Sequence, residues 1–121
     1  MLTRSHRLTK ETEYSDAYRR GRSARGRLVT CVAAPVGMET RLGVVASRRV
    51  GGAVERNRAK RRLRHAARTL WKELADCGWH IVLIATPATG TVDYGLLLAE
   101  LRSLLADLEV ISAKPPPPPV H

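Results

Sequence analysis

The chain has 121 residues, 44% of them hydrophobic, and a formal charge of +10 at pH 7. That length holds one domain, or one domain with tails, and a modest core built from Leu, Val, Ile and Ala because Phe is absent. No apolar stretch is long enough to span a bilayer, and the first ten residues, MLTRSHRLTK, lack the apolar segment of a secretory signal.

The charge is unevenly spread. Residues 1–72 hold 19 of the 21 Lys and Arg and carry a net +14, whereas residues 73–121 carry −4. Such clustering favours a polyanionic partner, and a nucleic acid is expected rather than a membrane. The two cysteines, Cys31 and Cys77, form no CxxC pair, so they predict a reducing, cytoplasmic setting and buried thiols. The four histidines, at 6, 65, 80 and 121, have no ligand spacing, and no metal site is expected.

Residues 10–20 read as a first helix. Thr9 serves as N-cap, Glu11 and Glu13 suit the positive helix start, and Gly21 closes the end. Tyr14 and Tyr18 are i, i+4 neighbours and share a face. GRSARG, 21–26, reads as a basic loop. RLVTCVAA, 27–34, and RLGVVAS, 41–47, read as strands joined by a turn at Pro35 and Gly37, which suggests an antiparallel hairpin. RRVGG, 48–52, either extends that strand or opens a loop, and Gly51-Gly52 marks a break.

A long helix is predicted over 53–76. Its apolar stripe is Ala59, Leu63, Ala66, Leu70 and Leu74, with Ala67 and Trp71 alongside. HIVLIAT, 80–86, is a continuous apolar run and reads as a buried central strand. A last helix covers 92–111, lined inside by Leu97, Leu101, Leu104, Leu105 and Leu108. Residues 1–111 are read as one domain, and the proline-rich 112–121 as an extended, disordered tail. The order predicts an α+β sandwich, with a connection through the long helix that is normally right-handed.

The long helix carries the functional signal. Arg56, Lys60, Arg64, Arg68 and Lys72 fall in an i+4 row, widened by Arg58, Arg61 and Arg62, and Arg48 and Arg49 precede it. Successive cations in the row rise by about 6 Å, a spacing comparable to that of strand phosphates. A merely solvated face would mix signs to gain ion pairs, and here Glu55 is the one acid between Arg48 and Arg64. Asn57 offers a donor and an acceptor to a 2′-hydroxyl or base edge. The Gly-Gly pair is not followed by Gly-Lys-Ser/Thr, which argues against a P-loop, and the strand directly before the helix argues against a helix-turn-helix. Tyr14 and Tyr18 fit core-rim packing or a stacking platform for single-stranded nucleic acid, and both hold if the rings line a cleft.

The stretch RRVGGAVERNRAKRRLR, 48–64, resembles the signature of the protein component of bacterial ribonuclease P: a basic pair, then Val-Gly-x-Ala-Val-x-Arg-Asn-Arg-x-Lys-Arg-x-x-Arg. EYSDAYRRGRS resembles that family's first helix, and RLGVVAS and GWHIVLIATP resemble its strands before and after the motif, so the likeness runs over about residues 7–110. The resemblance implies a small mixed sheet of about four strands packed with three helices in α-β-β-β-α-β-α order, with a left-handed crossover. It implies a catalytic RNA subunit that uses Mg2+, with no catalytic residue in the protein. It implies that Arg48, Arg49, Arg56, Asn57, Arg58, Lys60, Arg61 and Arg64 contact the ribonuclease P RNA, and that Tyr14 and Tyr18 help line a cleft for the 5′ leader of precursor tRNA. The chain departs from the family at several places: Tyr14 and Tyr18 stand where Phe is common, Cys31 where a cleft aromatic is frequent, Gly52 where Asn or Lys is, His80 where Asp is and Thr86 where Arg is. The competing readings are a structural RNA-binding protein of ribosomal type and an autonomous nuclease. The second needs a carboxylate cluster, and the acids nearest the basic stretch, Glu55 and Asp16, are isolated in sequence.

Overall fold

A computed structural model of the chain describes residues 7–8, 10–36, 39–74 and 78–111. The elements run α1 (Glu11–Arg20), β1 (Arg22–Arg25), β2 (Val29–Pro35), β3 (Arg41–Val45), a 3-10 turn (Arg48–Val50), α2 (Ala53–Thr69), α3 (Trp71–Leu74), β4 (Trp79–Ala85) and α4 (Tyr94–Asp107). The four strands form one mixed sheet in the order β1-β2-β4-β3. β1 and β4 both pair antiparallel with β2, and β3 pairs parallel with β4.

The sheet is covered on both faces, which explains why β4 is apolar without alternation. Ile81, Leu83 and Ala85 point to one side with Val29, Cys31 and Ala33 of β2, and they pack under α2 and α4. Val82 points to the other side with Val32, and α1 covers them through Ala17. On α2 the predicted stripe of Ala59, Leu63, Ala66 and Leu70 is fully buried, and Leu97, Leu101, Leu104, Leu105 and Leu108 of the α4 segment are buried as expected. Trp71 and Trp79 are partly buried against this core, and Cys31 sits wholly inside it. Cys31 faces α2 and α4 and does not line any cleft under α1. Burial pushes its thiol up to about 12.

Three expectations are corrected. β2 and β3 do not form a hairpin, because β4 stands between them. A strand apolar on both faces is most stable when strands flank it on either side, and it takes β2 as one neighbour and β3 as the other. Buried Thr40 holds this junction: its hydroxyl donates to the Leu74 carbonyl at 2.6 Å and accepts from Gly78 N–H at 3.0 Å. Second, GRSARG is not a loop, since its centre is edge strand β1. Only Ala24 packs inward, and a cation-rich edge blocks further pairing. Third, the long helix breaks at Leu70 instead of running to 76. No Gly or Pro marks the break. Thr69 Oγ1 donates back to the His65 carbonyl at 3.1 Å, a contact that bends helices.

At the first helix, Lys10 is the N-cap residue, and its N–H is accepted by Glu13 Oε1 at 3.0 Å. Thr9, Gly37, Asp76, Cys77 and the 112–121 tail lie outside the described residues.

Candidate nucleic-acid interface

The path into α2 is set by backbone geometry. Ser47 Oγ accepts the Arg49 N–H at 3.3 Å and starts the 3-10 turn that carries exposed Arg48 and Arg49. Gly51 follows at φ +141°, a conformation that favours glycine. A Cβ there would also approach Glu55 Cβ to 2.9 Å. Gly52 is the N-cap residue with no side-chain cap bond, so first-turn N–H groups and the positive helix end face outward beside the two arginines.

Along α2 the polar residues sort onto a crest and two flanks. Asn57, Arg61, Arg64 and Arg68 are exposed. Arg56 and Lys60 flank the buried stripe on one side and are half-buried. Arg58, Arg62 and His65 lie on the other flank and line a recess with Arg61 and Tyr94. Arg62 leaves the cationic surface: it donates to the carbonyls of Thr89, at 2.8 Å, and Val92, and so anchors the loop before α4. The i+4 row is also shorter than expected, because Lys72 lies on α3 beyond the break.

Among the described residues the other cations of the motif form no ion pair with an acid. The ion pairs among the described residues join Arg19 to Asp16 at 2.5 Å, Arg41 to Glu13 at 3.1 Å and Arg102 to Glu73 at 2.8 Å. None of these involves Arg48, Arg49, Arg56, Arg58, Lys60, Arg61 or Arg64. The self-repulsion of this cluster is therefore uncompensated within the described fold.

Tyr14 and Tyr18 come together with Lys60. The two rings line a cleft of about 530 Å3 with Glu11, Val44, Val45 and Ala46, so α1, β3 and α2 each contribute a wall. Tyr14 lies over Gly43, where any Cβ would come within 2.3 Å of its hydroxyl oxygen, and it donates to the Leu8 carbonyl at 3.2 Å. Burial, and next the neighbouring Tyr18, raise the Tyr14 pKa, while Arg64 pulls it down. Tyr18 is 46% exposed, and its pKa is raised by burial. Tyr14 thus packs at the core rim, and Tyr18 offers an open ring.

Sequence reasoning did not single out His65 or Tyr94 as site residues. His65 is i+4 from Arg61 and i+7 from Arg58, which was a legible signal, whereas the approach of Tyr94 depends on how α4 packs. Among the described residues no group of three or more His, Cys, Asp or Glu side chains stands close enough to hold a metal ion. No helix among them is long and apolar enough to cross a membrane.

Comparison with known proteins agrees with this geometry. Residues 2–109 match the family described as Ribonuclease P. The chain is 38% identical over 112 residues to a "Ribonuclease P protein component" of Dehalococcoides mccartyi, covering 92% of this chain and 91% of the relative. It is 40% identical over 109 residues to one from Symbiobacterium thermophilum, covering 88% and 90%. Among solved structures, the RNase P protein of Thermotoga maritima superposes with a TM-score of 0.71 at 26% identity, over 88% of this chain and 98% of that one. The Staphylococcus aureus RNase P protein shares the fold, with a TM-score of 0.76 at 22% identity over 88% and 98%.

Proposed function

The chain belongs to the ribonuclease P protein family, and from that premise we propose how its surface serves the removal of 5′ leaders from precursor tRNA. As the protein component it is part of the ribonuclease P holoenzyme and partners the ribonuclease P RNA. Family membership does not favour a ribosomal-type protein without a processing role.

The observation that carries the division of labour is the set of α2 cations that no acid among the described residues pairs, beside an aromatic cleft. Arg48, Arg49, Arg56, Asn57, Arg58, Arg61 and Arg64 engage phosphates and 2′-hydroxyls of the catalytic RNA, with guanidinium forks suited to bidentate phosphate contact. Tyr18 stacks on a base of the precursor tRNA leader, and Tyr14 shapes the cleft beneath it. Lys60, which lines that cleft, neutralises a phosphate at the boundary between the two RNAs. Its position supports a contact to the leader as well as to the catalytic RNA.

Bond cleavage on this reading belongs to the RNA subunit. Mg2+ held by that RNA supplies charge stabilisation for phosphodiester hydrolysis. The described residues of this chain do not fit a Mg2+ site of their own, since Asp16 is paired with Arg19 on α1 and Glu55 lies apart on α2. With two RNAs as partners, the protein works in the cytoplasm.

The test is reconstitution. Purified protein alone leaves precursor tRNA intact, and adding the matching RNA subunit gives cleavage at a lower Mg2+ concentration than the RNA needs alone. Metal-dependent cutting by RNA-free, nuclease-free protein would overturn the assignment of roles.

A further inference from the structure

The recess on the α2 flank away from the tyrosine cleft is a built pocket. Arg58, Arg61, Arg62, His65 and Tyr94 line an open recess of about 410 Å3, within the ~300–1,000 Å3 usual for small-ligand sites. Arg62 is a fixed wall, since two backbone carbonyls hold its guanidinium. His65 and Tyr94 form an aromatic corner, with ring centroids 5.1 Å apart and planes tilted by 59°. Both rings are held in place. Arg68 lies 2.7 Å from His65 Nδ1, and because a guanidinium only donates, Nδ1 accepts. The Tyr94 hydroxyl is 3.2 Å from Thr69 Oγ1. Arg58 and Arg61 are exposed, and among the described residues neither forms an ion pair with a carboxylate.

Two free guanidinium forks beside an ordered aromatic corner suit a ligand that has both a phosphate and a planar ring. A phosphate alone leaves the rings without a role, and an aromatic ring alone leaves the forks without one. A base within a duplex is stacked and cannot reach such a corner, whereas an unpaired nucleotide turned out of its strand can. We propose that this pocket takes one unpaired nucleotide of the ribonuclease P RNA, its phosphate between Arg58 and Arg61 and its base against His65 and Tyr94. The proposal rests on the reading of α2 as the RNA-binding helix. Arg61 belongs to both the crest and the pocket, so a strand held on the crest reaches the pocket directly. The tyrosine cleft lies on the opposite flank, which separates this nucleotide from the leader.

The experiment titrates full-length variants with the RNA subunit. Tyr94→Ala lowers affinity by about 5- to 150-fold, the loss of one stacked base, with the salt slope unchanged. Tyr94→Phe keeps affinity to within about twofold, because the ring remains. Arg58→Ala reduces the salt slope by about one. Tyr94 also packs against the core, so exposed His65→Ala provides a second loss that does not risk the fold. A photoreactive benzophenone side chain in place of Tyr94 identifies the source of the nucleotide. Crosslinking to one unpaired nucleotide of the RNA subunit supports the proposal, and crosslinking to precursor tRNA or to no RNA overturns it. Full RNA affinity in both Tyr94→Ala and His65→Ala also overturns it. Arg64→Ala, outside the pocket, separates the two levels: if it too leaves RNA affinity unchanged, the reading of α2 itself fails.

Discussion

Arg61 and Arg62 are adjacent and chemically identical, yet the fold gives them opposite tasks. Arg61 projects into solvent on the crest of α2, whereas Arg62 spends its donors on the carbonyls of Thr89 and Val92. Arg62→Ala leaves those half-buried acceptors unpaired and is expected to cost about 1–3 kcal/mol of stability, read as a lower Tm. Arg61→Ala is expected to stay within about 0.5 kcal/mol in stability while weakening binding to the RNA subunit. Equal stability losses would show that Arg62 is not an anchor. A similar contrast separates the tyrosines. Tyr18→Ala removes an open ring and is expected to weaken holoenzyme binding of leader-bearing substrate by about 5- to 150-fold relative to mature tRNA. An equal loss on both substrates would assign Tyr18 to packing. The sequence placed the motif's cations from Arg56 to Arg64 on one helix, but it did not say which of them face a neighbouring loop. That depends on where α4 begins in space, which no local spacing encodes.

Elements were legible where periodicity is strong. The buried stripes of α2 and α4 and the continuous run of β4 follow from spacing alone. The edge strand β1 was not legible, because one inward Ala24 between arginines has no alternating pattern to read. The pairing of β3 was not legible either. Nearness in sequence suggested β2 as its partner, and the chain-distant β4 won because it buries both faces. The β1–β2 turn shows how such nonlocal ties work. Glu100 of α4 accepts N–H groups of Arg27, Leu28 and Val29, at 3.2, 2.6 and 3.0 Å. A carboxylate serving three backbone donors pins the sheet edge to the helix. Glu100→Ala is expected to destabilise the fold by about 1–3 kcal/mol, with faster amide exchange at Leu28 and Val29. Unchanged exchange there would mean the turn holds without the carboxylate.

At the scale of the molecule, charge and fold divide the work. One face of the sheet carries α1, the other carries α2 and α4, and the tyrosine cleft forms along the β3 edge, where Lys60 of α2 comes beside the α1 tyrosines. Among the described residues the cations of the α2 surface have no acid paired with them, so a polyanion is what offsets their repulsion. Neutralising phosphates releases counterions, which makes affinity fall with salt at a slope set by the number of contacts. The most direct measurement is therefore the affinity of the full chain for the ribonuclease P RNA across a salt series. With six or more phosphates engaged, affinity is expected to fall by about 10³-fold or more between about 50 and 200 mM salt. A flat response over that range would contradict the account, because it would leave the guanidinium crest of α2 without an RNA to grip.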